Sequence, residues 1–173
     1  MSALLSNYIN YFKDIFNIDK NEYNSTYHAL DKESNKTVFL KIYDKSSIEE
    51  GPTDLLYKQI ENEKTLTQLC KNDNIIELYK ILETDISIIF VYELCDNNLL
   101  DYLLENGELN KNKEFFIKIV QSLAIALKVL NDKKIIHRDI KPNNIYILKK
   151  LIMIIKIKII LKKMMKIILK IIV

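Results

Sequence analysis

The sequence predicts an α+β fold, in which five strand-like segments and one helix precede a mainly helical part. The first observation is the order of the segments, which runs strands, helix, strands, and then helices with a polar loop. The second is size: 173 residues suit one ordinary domain or two small lobes. The third is composition, because a hydrophobic fraction of 49% can fill a core and 28% charged residues suit a soluble protein.

Three strand-like runs occupy the first 43 residues. Two lie between Tyr8 and Leu30, around "NIDKNEYNS", and the turn-rich "DKESNK" leads into the third, "TVFLKIY". In this third run two sets of residues alternate: Val38, Leu40 and Ile42, and Phe39, Lys41 and Tyr43. A period of two therefore places Lys41 on the same strand face as Phe39 and Tyr43.

A helix is predicted over residues 54–70. Its apolar stripe carries one carboxylate among residues at helical spacing: Leu56, Ile60, Glu63, Leu66 and Cys70. Glu61, by contrast, points well away from this stripe. A carboxylate on a buried face needs a cationic partner. We therefore expect Glu63 to pair with a lysine.

The remaining regular segments are two strands and two helices. "IIELYKIL" and "ISIIFVYEL" read as strands, and "NNLLDYLLENG" reads as a short helix. Residues 112–133 give the strongest helical pattern in the chain. Its predicted apolar stripe consists of Phe116, Ile119, Val120, Leu123, Leu127 and Leu130.

The polar loop "HRDIKPNNI" carries the most specific motif. It matches the pattern His-Arg-Asp, a few intervening residues and Asn that marks the catalytic loop of protein kinases. The chain thus resembles the first half of a eukaryotic-type protein kinase over residues 8–148. This resemblance implies an N-lobe of antiparallel sheet plus one helix (8–92), a hinge (93–97) and a partial, mainly helical C-lobe (98–148). An Ile/Lys-rich tail would follow at 149–173.

The resemblance implies a role for three loop residues. Asp139 would be the catalytic base, Asn144 would hold a magnesium ion, and Lys141 would neutralise charge on the transferred phosphoryl group, as in serine/threonine-directed kinases. The chemistry agrees, because phosphoryl transfer depends on positioning and on cations. The implied function is a protein serine/threonine kinase that uses ATP and Mg²⁺ to phosphorylate a protein substrate inside the cell.

The nucleotide-binding residues implied by the resemblance lie earlier in the chain. "VFLK" is similar to the third-strand Val-Ala-Ile-Lys motif, so Lys41 would hold the α/β-phosphates and Glu63 would pair with it. "VYELCDNN" resembles the hinge, with Tyr92 as gatekeeper and the backbone of Glu93 and Cys95 bonding adenine. The alternatives are a surface strand lysine for Lys41 and a plain strand-to-helix linker for the hinge.

Two departures from the kinase pattern bear on ATP binding. The glycine positions of the phosphate loop fall on Asp19, Asn21 and Asn24, and its valine falls on Thr26. Asparagine tolerates a left-handed turn, whereas the charge of Asp19 should repel phosphates. Phe39 occupies the small-residue position above adenine and should fill space that the base needs.

The third departure is the end of the chain. Residues 140–173 contain nine Lys and no Asp or Glu, so the Asp-Phe-Gly motif that carries the second magnesium ligand is missing. We expect a kinase domain truncated after the catalytic loop and inactive as this chain. The alternative is a non-catalytic pseudokinase that serves as an interaction module.

The tail after residue 150 uses five residue types over 23 positions. We hypothesise an out-of-frame or intron-derived segment of an A/T-rich gene, which cDNA sequencing across codons 145–160 would test. If the segment is translated, its Lys residues gather on one side of a helical wheel, as in a basic amphipathic helix on a membrane surface. Accidental periodicity in a low-complexity run is the alternative.

Other classes of function have little support. The lysines of the tail have no interleaved aromatic residues, so no nucleic-acid partner is expected. Cys70 and Cys95 form no metal-binding or disulfide pattern, and the N-terminus shows no secretory signal.

Overall fold

The computed structural model describes residues 8, 10–20, 24–49, 53–107, 113–149 and 153–157. The strands are β1 (Phe12–Lys20), β2 (Asn24–Asp31), β3 (Lys36–Asp44), β4 (Leu78–Glu83), β5 (Ser87–Glu93), β6 (Asn97–Asn98), β7 (Ile145–Lys149) and β8 (Met153–Ile157). The helices are α1 (Lys45–Glu49), α2 (Thr53–Leu69), α3 (Leu99–Asn106) and α4 (Lys113–Asp132), with a 3-10 helix at Pro142–Asn144. The α+β class is confirmed.

The described residues form two compact units. The first contains the residues up to 56 together with 76–96, and the second contains 57–75 and the residues from 97 onward.

The first unit is a five-stranded antiparallel sheet in the order β1-β2-β3-β5-β4. The alternation predicted for β3 is confirmed, since Val38, Leu40 and Ile42 are all at most 2% exposed. Their side chains join one core cluster with Tyr8, Phe12, Tyr27, Ala29, Ile89 and Val91. Burial of one sheet face fixes the register of β3, because a slip by one residue would turn Lys41 into this core.

An ionic network around one buried carboxylate joins β2, the turn after it and β4. The Asp31 carboxylate, only 5% exposed, accepts from Lys80 Nζ at 3.0 Å and from Ser34 Oγ at 2.6 Å. Lys80 Nζ also lies 2.6 Å from Glu33 Oε2. Burial raises the pKa of Asp31, but the hydrogen bonds from Ser34 and Lys80 outweigh it and leave the pKa below its usual value of 3.8.

This network predicts an acid-dependent loss of stability. Because the folded-state pKa of Asp31 is depressed, its contribution is present above pH 3.8 and disappears as pH falls through the lower folded-state pKa. Asp31→Asn should lower the unfolding free energy at pH 7 by about 1.5–3 kcal/mol and remove this part of the acid dependence. Urea titrations at pH 2–7, with exposed Asp85→Asn as the control, measure it. Equal acid slopes for Asp31→Asn and the wild type would contradict it.

The second unit packs α3 and α4 against a three-stranded sheet, β6-β7-β8. Its two core clusters are Leu99, Phe115, Ile119, Ile145 and Ile147, and Cys70, Ile75, Ala126, Leu130 and Ile157. Helix α3 begins after Asn98, whose side-chain oxygen accepts from Asp101 N at 2.9 Å. It ends at Gly107, whose φ of 82° lies in the region that favours glycine.

The stripe predicted on α2 is largely confirmed. Leu56, Ile60 and Cys70 are at most 7% exposed, Glu63 is 8% exposed, and Glu61 is exposed. The side chain of the fifth predicted member, Leu66, lies outside what the structure describes.

The stripe predicted on α4 is partly wrong. Phe115, Ile119, Ala126 and Leu130 are buried, whereas Phe116 is 47% and Val120 49% exposed. Apolar residues surround most of this helix, so periodicity alone could not choose the buried face. Contact with Ile145, Ile147 and Ile157 of the sheet chooses it.

The helix predicted after residue 150 is wrong for residues 153–157. This segment is strand β8, which pairs antiparallel with β7, Ile145 opposite Ile157 and Ile147 opposite Ile155. Ile157 N also donates to Asn74 O at 2.9 Å. A helical wheel shows only the positions within one segment, so it could not predict this pairing. Pairing gives backbone N–H and C=O groups of the segment hydrogen-bond partners, and Ile157 is completely buried. Residues 158–173 of the predicted tail lie outside the described residues.

Among the described helices, none is both long enough and apolar enough to cross a membrane.

Candidate active site

The loop before β7 brings the side chains of Asn144 and Lys141 to Asp139. Asn144 Nδ2 donates to the Asp139 main-chain oxygen at 2.7 Å and to Asp139 Oδ2 at 3.0 Å. Lys141 Nζ lies 3.3 Å from the same Oδ2. Asp139 is 12% exposed and Lys141 46%, so the carboxylate is within reach of solvent and carries a mobile cation beside it. The structure therefore brings together the three loop residues predicted from the sequence, Asp139, Lys141 and Asn144.

Local geometry places these residues. Pro142 opens the 3-10 helix, and Asn144 N donates to Lys141 O at 2.9 Å, which closes the turn. Asn144 is 5% exposed because β7 follows it directly into the core. Its buried amide can donate to Asp139 only while this turn is intact.

Two residues before this trio shape the Asp139 backbone. His137 is 2% exposed and its Nδ1 accepts the Asp139 N–H at 3.2 Å. Arg138 has a φ of 65°, a left-handed conformation that costs free energy in a residue with a side chain. His137 is the first residue of the motif "HRDIKPNNI", but the sequence alone predicted no role for it.

The loop offers one ligand that fits a magnesium ion that also binds phosphate. Asn144 supplies an amide oxygen, a hard ligand of the kind that Mg²⁺ binds, and Mg²⁺ often takes only one or two protein groups beside phosphates. The Asn144 amide is planar, so fixing Nδ2 on Asp139 turns Oδ1 to the opposite side of Cγ. Within the described residues, no group of three or more His, Cys, Asp or Glu could hold a metal by itself.

Lys41 lies on the first unit. Its Nζ is 4.9 Å from the centre of the Tyr43 ring, a cation–π distance, and it stands opposite Phe90 of β5 in the register. Phe39, two residues earlier, has ring centres of His28 and Tyr92 at 6.4 Å on either side.

The predicted hinge residues follow β5. Glu93 is 6% exposed, its N–H donates to Glu77 O at 3.0 Å, and its Oε1 accepts from Glu77 N at 2.8 Å. Because the Glu93 N–H donates to Glu77 O, the backbone group of Glu93 that could bond adenine is its carbonyl. Cys95 is a partly buried cysteine.

Glu63 and the phosphate-loop positions complete the predicted site. Glu63 is buried on α2, and its main-chain oxygen accepts from Thr67 Oγ1 at 2.6 Å. Lys41 belongs to the first unit and Glu63 to the second, so their pairing stays a prediction. Asp19 and Thr26 stand opposite each other in β1 and β2. Asn21 lies outside the described residues.

The chain is similar to known protein kinases. The family model described as "Protein kinase domain" matches residues 16–160. A "Probable serine/threonine-protein kinase" of Dictyostelium discoideum is 32% identical over 130 residues, which is 75% of this chain and 28% of the relative. CBL-interacting protein kinase 2 of Oryza sativa subsp. japonica is 30% identical over 119 residues, 69% of this chain and 26% of the relative. The chain thus spans about a quarter of these relatives.

A solved structure shows the same fold. The crystal structure of Rad53 1-466 in complex with AMP-PNP matches with a TM-score of 0.70 at 21% identity, over 90% of this chain and 42% of that one. The family match covers most of the chain, and it includes the loop in which Asn144 and Lys141 converge on Asp139. This chain therefore belongs to the eukaryotic-type protein kinase family.

Proposed function

We propose that this chain carries the nucleotide-binding and proton-accepting residues of an ATP-dependent, intracellular protein serine/threonine kinase. One observation supports this most directly: Asn144 Nδ2 bonds both the main chain and the carboxylate of Asp139, with Lys141 Nζ 3.3 Å away. A base, a metal ligand and a cation thus share one loop.

Each of the three residues has a defined role in the transfer. The Asp139 carboxylate would accept the proton of the attacking substrate hydroxyl while the γ-phosphoryl group moves from ATP to the hydroxyl oxygen and ADP leaves. Lys141 Nζ neutralises charge on the phosphoryl oxygens, which the 46% exposure of its side chain permits by rotation. Asn144 orients the carboxylate and offers Oδ1 to magnesium. The ion supplies charge neutralisation at the phosphates when bound.

Four residues outside the catalytic loop are assigned to the nucleotide. Lys41 would bind the α/β-phosphates and Glu63 would orient Lys41. The Glu93 carbonyl and the Cys95 N–H are the hinge groups that would bond a base if one reached them. Support comes from the position of Lys41, which is partly buried on the β3 face opposite the core of the first unit. The burial of Glu63, which is 8% exposed, adds to it, because a buried carboxylate needs a cation.

We further propose that this 173-residue chain does not catalyse phosphoryl transfer from ATP. No carboxylate follows Asp139 to bind the second magnesium position. A non-catalytic interaction module is the second candidate, and the observation that favours it is Phe39, together with the phosphate loop in which Asp19 and Asn24 stand at glycine positions. Membrane-surface binding through residues 149–173 is less well supported, because residues 153–157 form a strand and not the amphipathic helix. Only the positive charge of the lysines still favours it.

The experiment combines nucleotide binding with phosphoryl transfer. Isothermal titration should show Mg-ATP binding that weakens at least about 10-fold in Lys41→Ala and by less than about 2-fold in Lys36→Ala, a control at the exposed start of the same strand. Radiolabel transfer from ATP to mixed Ser/Thr peptides should equal that of Asp139→Asn. If both lysine variants bind Mg-ATP equally well, the proposed role of Lys41 in nucleotide binding is wrong. If the wild-type chain transfers more radiolabel than Asp139→Asn, the proposed inactivity is wrong.

A further inference from the structure

An aromatic row crosses the sheet of the first unit. In the strand register Phe16 of β1 stands opposite His28 of β2, His28 opposite Phe39 of β3, and Phe39 opposite Tyr92 of β5. Residues directly opposite in antiparallel strands share a face of the sheet. All four side chains therefore lie on one face.

The same face carries Lys41. Lys41 and Phe39 are two residues apart on β3, which separates them by about 6.6–6.8 Å along the strand. Tyr92, across from Phe39, directly precedes Glu93. A nucleotide that joins the Lys41 ammonium to the backbone of residues 93–95 must therefore pass over the Phe39–Tyr92 pair. This step rests on the proposed nucleotide site.

Neighbouring rings hold Phe39 in this position. The His28 ring meets it edge-on and the Tyr92 ring is tilted towards it, each with ring centres 6.4 Å away. Tyr92 is in turn stacked on Phe90 at 6.1 Å, and both are at most 4% exposed. His28 is exposed as a residue, and partial desolvation of its ring lowers its pKa. Rotation of the Phe39 ring towards either neighbouring strand would meet another ring.

We propose that Phe39, supported by His28 and Tyr92, excludes the nucleobase from this face, so that the site recognises the magnesium-bound triphosphate group and not the base. A phenyl ring between the phosphate lysine and the hinge backbone occupies the path that a purine would take. Tripolyphosphate and nucleoside triphosphates then bind with similar affinity. Phe39 is thus a residue that determines ligand specificity.

The test compares two ligands on four proteins. Mg-ATP and Mg-tripolyphosphate are titrated into the wild-type 173-residue chain, Phe39→Ala, Phe39→Val and Phe16→Ala. Phe16 is the matched control, because it belongs to the same row but is 67% exposed on the edge strand, away from the Lys41–Glu93 path. Circular dichroism establishes that each variant is folded, and Phe39→Val serves if the alanine variant is not.

The expected result is that only substitutions of Phe39 increase the affinity for ATP relative to tripolyphosphate. In wild type and Phe16→Ala, the dissociation constants for the two ligands agree within about 3-fold. In the Phe39 variants ATP binds at least about 10-fold more tightly than before, while tripolyphosphate binding is unchanged.

Two kinds of result would overturn the inference. If wild type already binds ATP at least 10-fold more tightly than tripolyphosphate, or if the Phe39 variants gain nothing, base exclusion is wrong while the phosphate site stands. If no protein of the set binds either ligand, the proposed nucleotide site itself is wrong, and the inference is wrong with it.

Discussion

Asn144→Ala is expected to destabilise the second unit by about 1.5–3 kcal/mol and to weaken the magnesium affinity of the triphosphate complex about 10- to 100-fold. The side chain is 5% exposed and donates to both oxygens of Asp139 described above, one of them on a carboxylate. Hydrogen bonds to charged groups contribute about 1.5–3 kcal/mol, and their loss leaves Asp139 without its orienting donor. Loss of a metal ligand or of its support typically weakens metal affinity about 10- to 100-fold.

Asn143→Ala is the matched control, because Asn143 lies in the same 3-10 helix and is exposed. Urea unfolding followed by circular dichroism gives the stability. Titration of tripolyphosphate with and without Mg²⁺ gives the metal dependence. An Asn144→Ala protein in which Mg²⁺ still tightens binding as much as in wild type would remove Asn144 from the metal site.

Leu40→Ala should be among the most destabilising substitutions in the first unit, at about 3–5 kcal/mol. Leu40 is fully buried at the centre of β3, opposite Tyr27 on one side and Val91 on the other. Strands on both sides of it are joined to their neighbours by ladders of hydrogen bonds, so the sheet cannot close over the missing atoms. The cost therefore includes both the lost transfer free energy and an open cavity.

The control for this substitution is Leu104→Ala. Leu104 is 76% exposed on α3, where alanine is a good helix former, so the change should stay within about 0.5 kcal/mol. Urea denaturation measures both. If Leu40→Ala cost no more than Leu104→Ala, the core assigned to this sheet would be wrong.

Local pattern was sufficient where one short segment carried the information. The alternation in "TVFLKIY" placed Lys41, Phe39 and Tyr43 on one face, and the structure confirms it because a strand repeats every two residues whatever packs on it. Likewise, the nine-residue loop from His137 to Ile145 contains Asp139, Lys141 and Asn144 so close in sequence that one turn unites them.

Pattern was insufficient where several faces were apolar or where partners were distant. Phe115 and Phe116 are adjacent and equally hydrophobic, and only packing against Ile145 and Ile147 decides that Phe115 is buried. Residues 153–157 fitted a helical wheel, yet pairing with β7 makes them a strand. The hydrogen bonds of a helix lie within the helix itself, whereas a strand needs a partner strand that the pattern of its own residues does not reveal.

The sequence by itself determined the kinase family, the strand face of Lys41 and the membership of the catalytic loop. These follow from residue types at fixed short spacing, which backbone geometry converts into position without help from the rest of the chain. Only the tertiary structure decided that Phe16, His28, Phe39 and Tyr92 form one row, because they come from four strands. Their alignment depends on strand register, which is set by burial of the opposite face of the sheet.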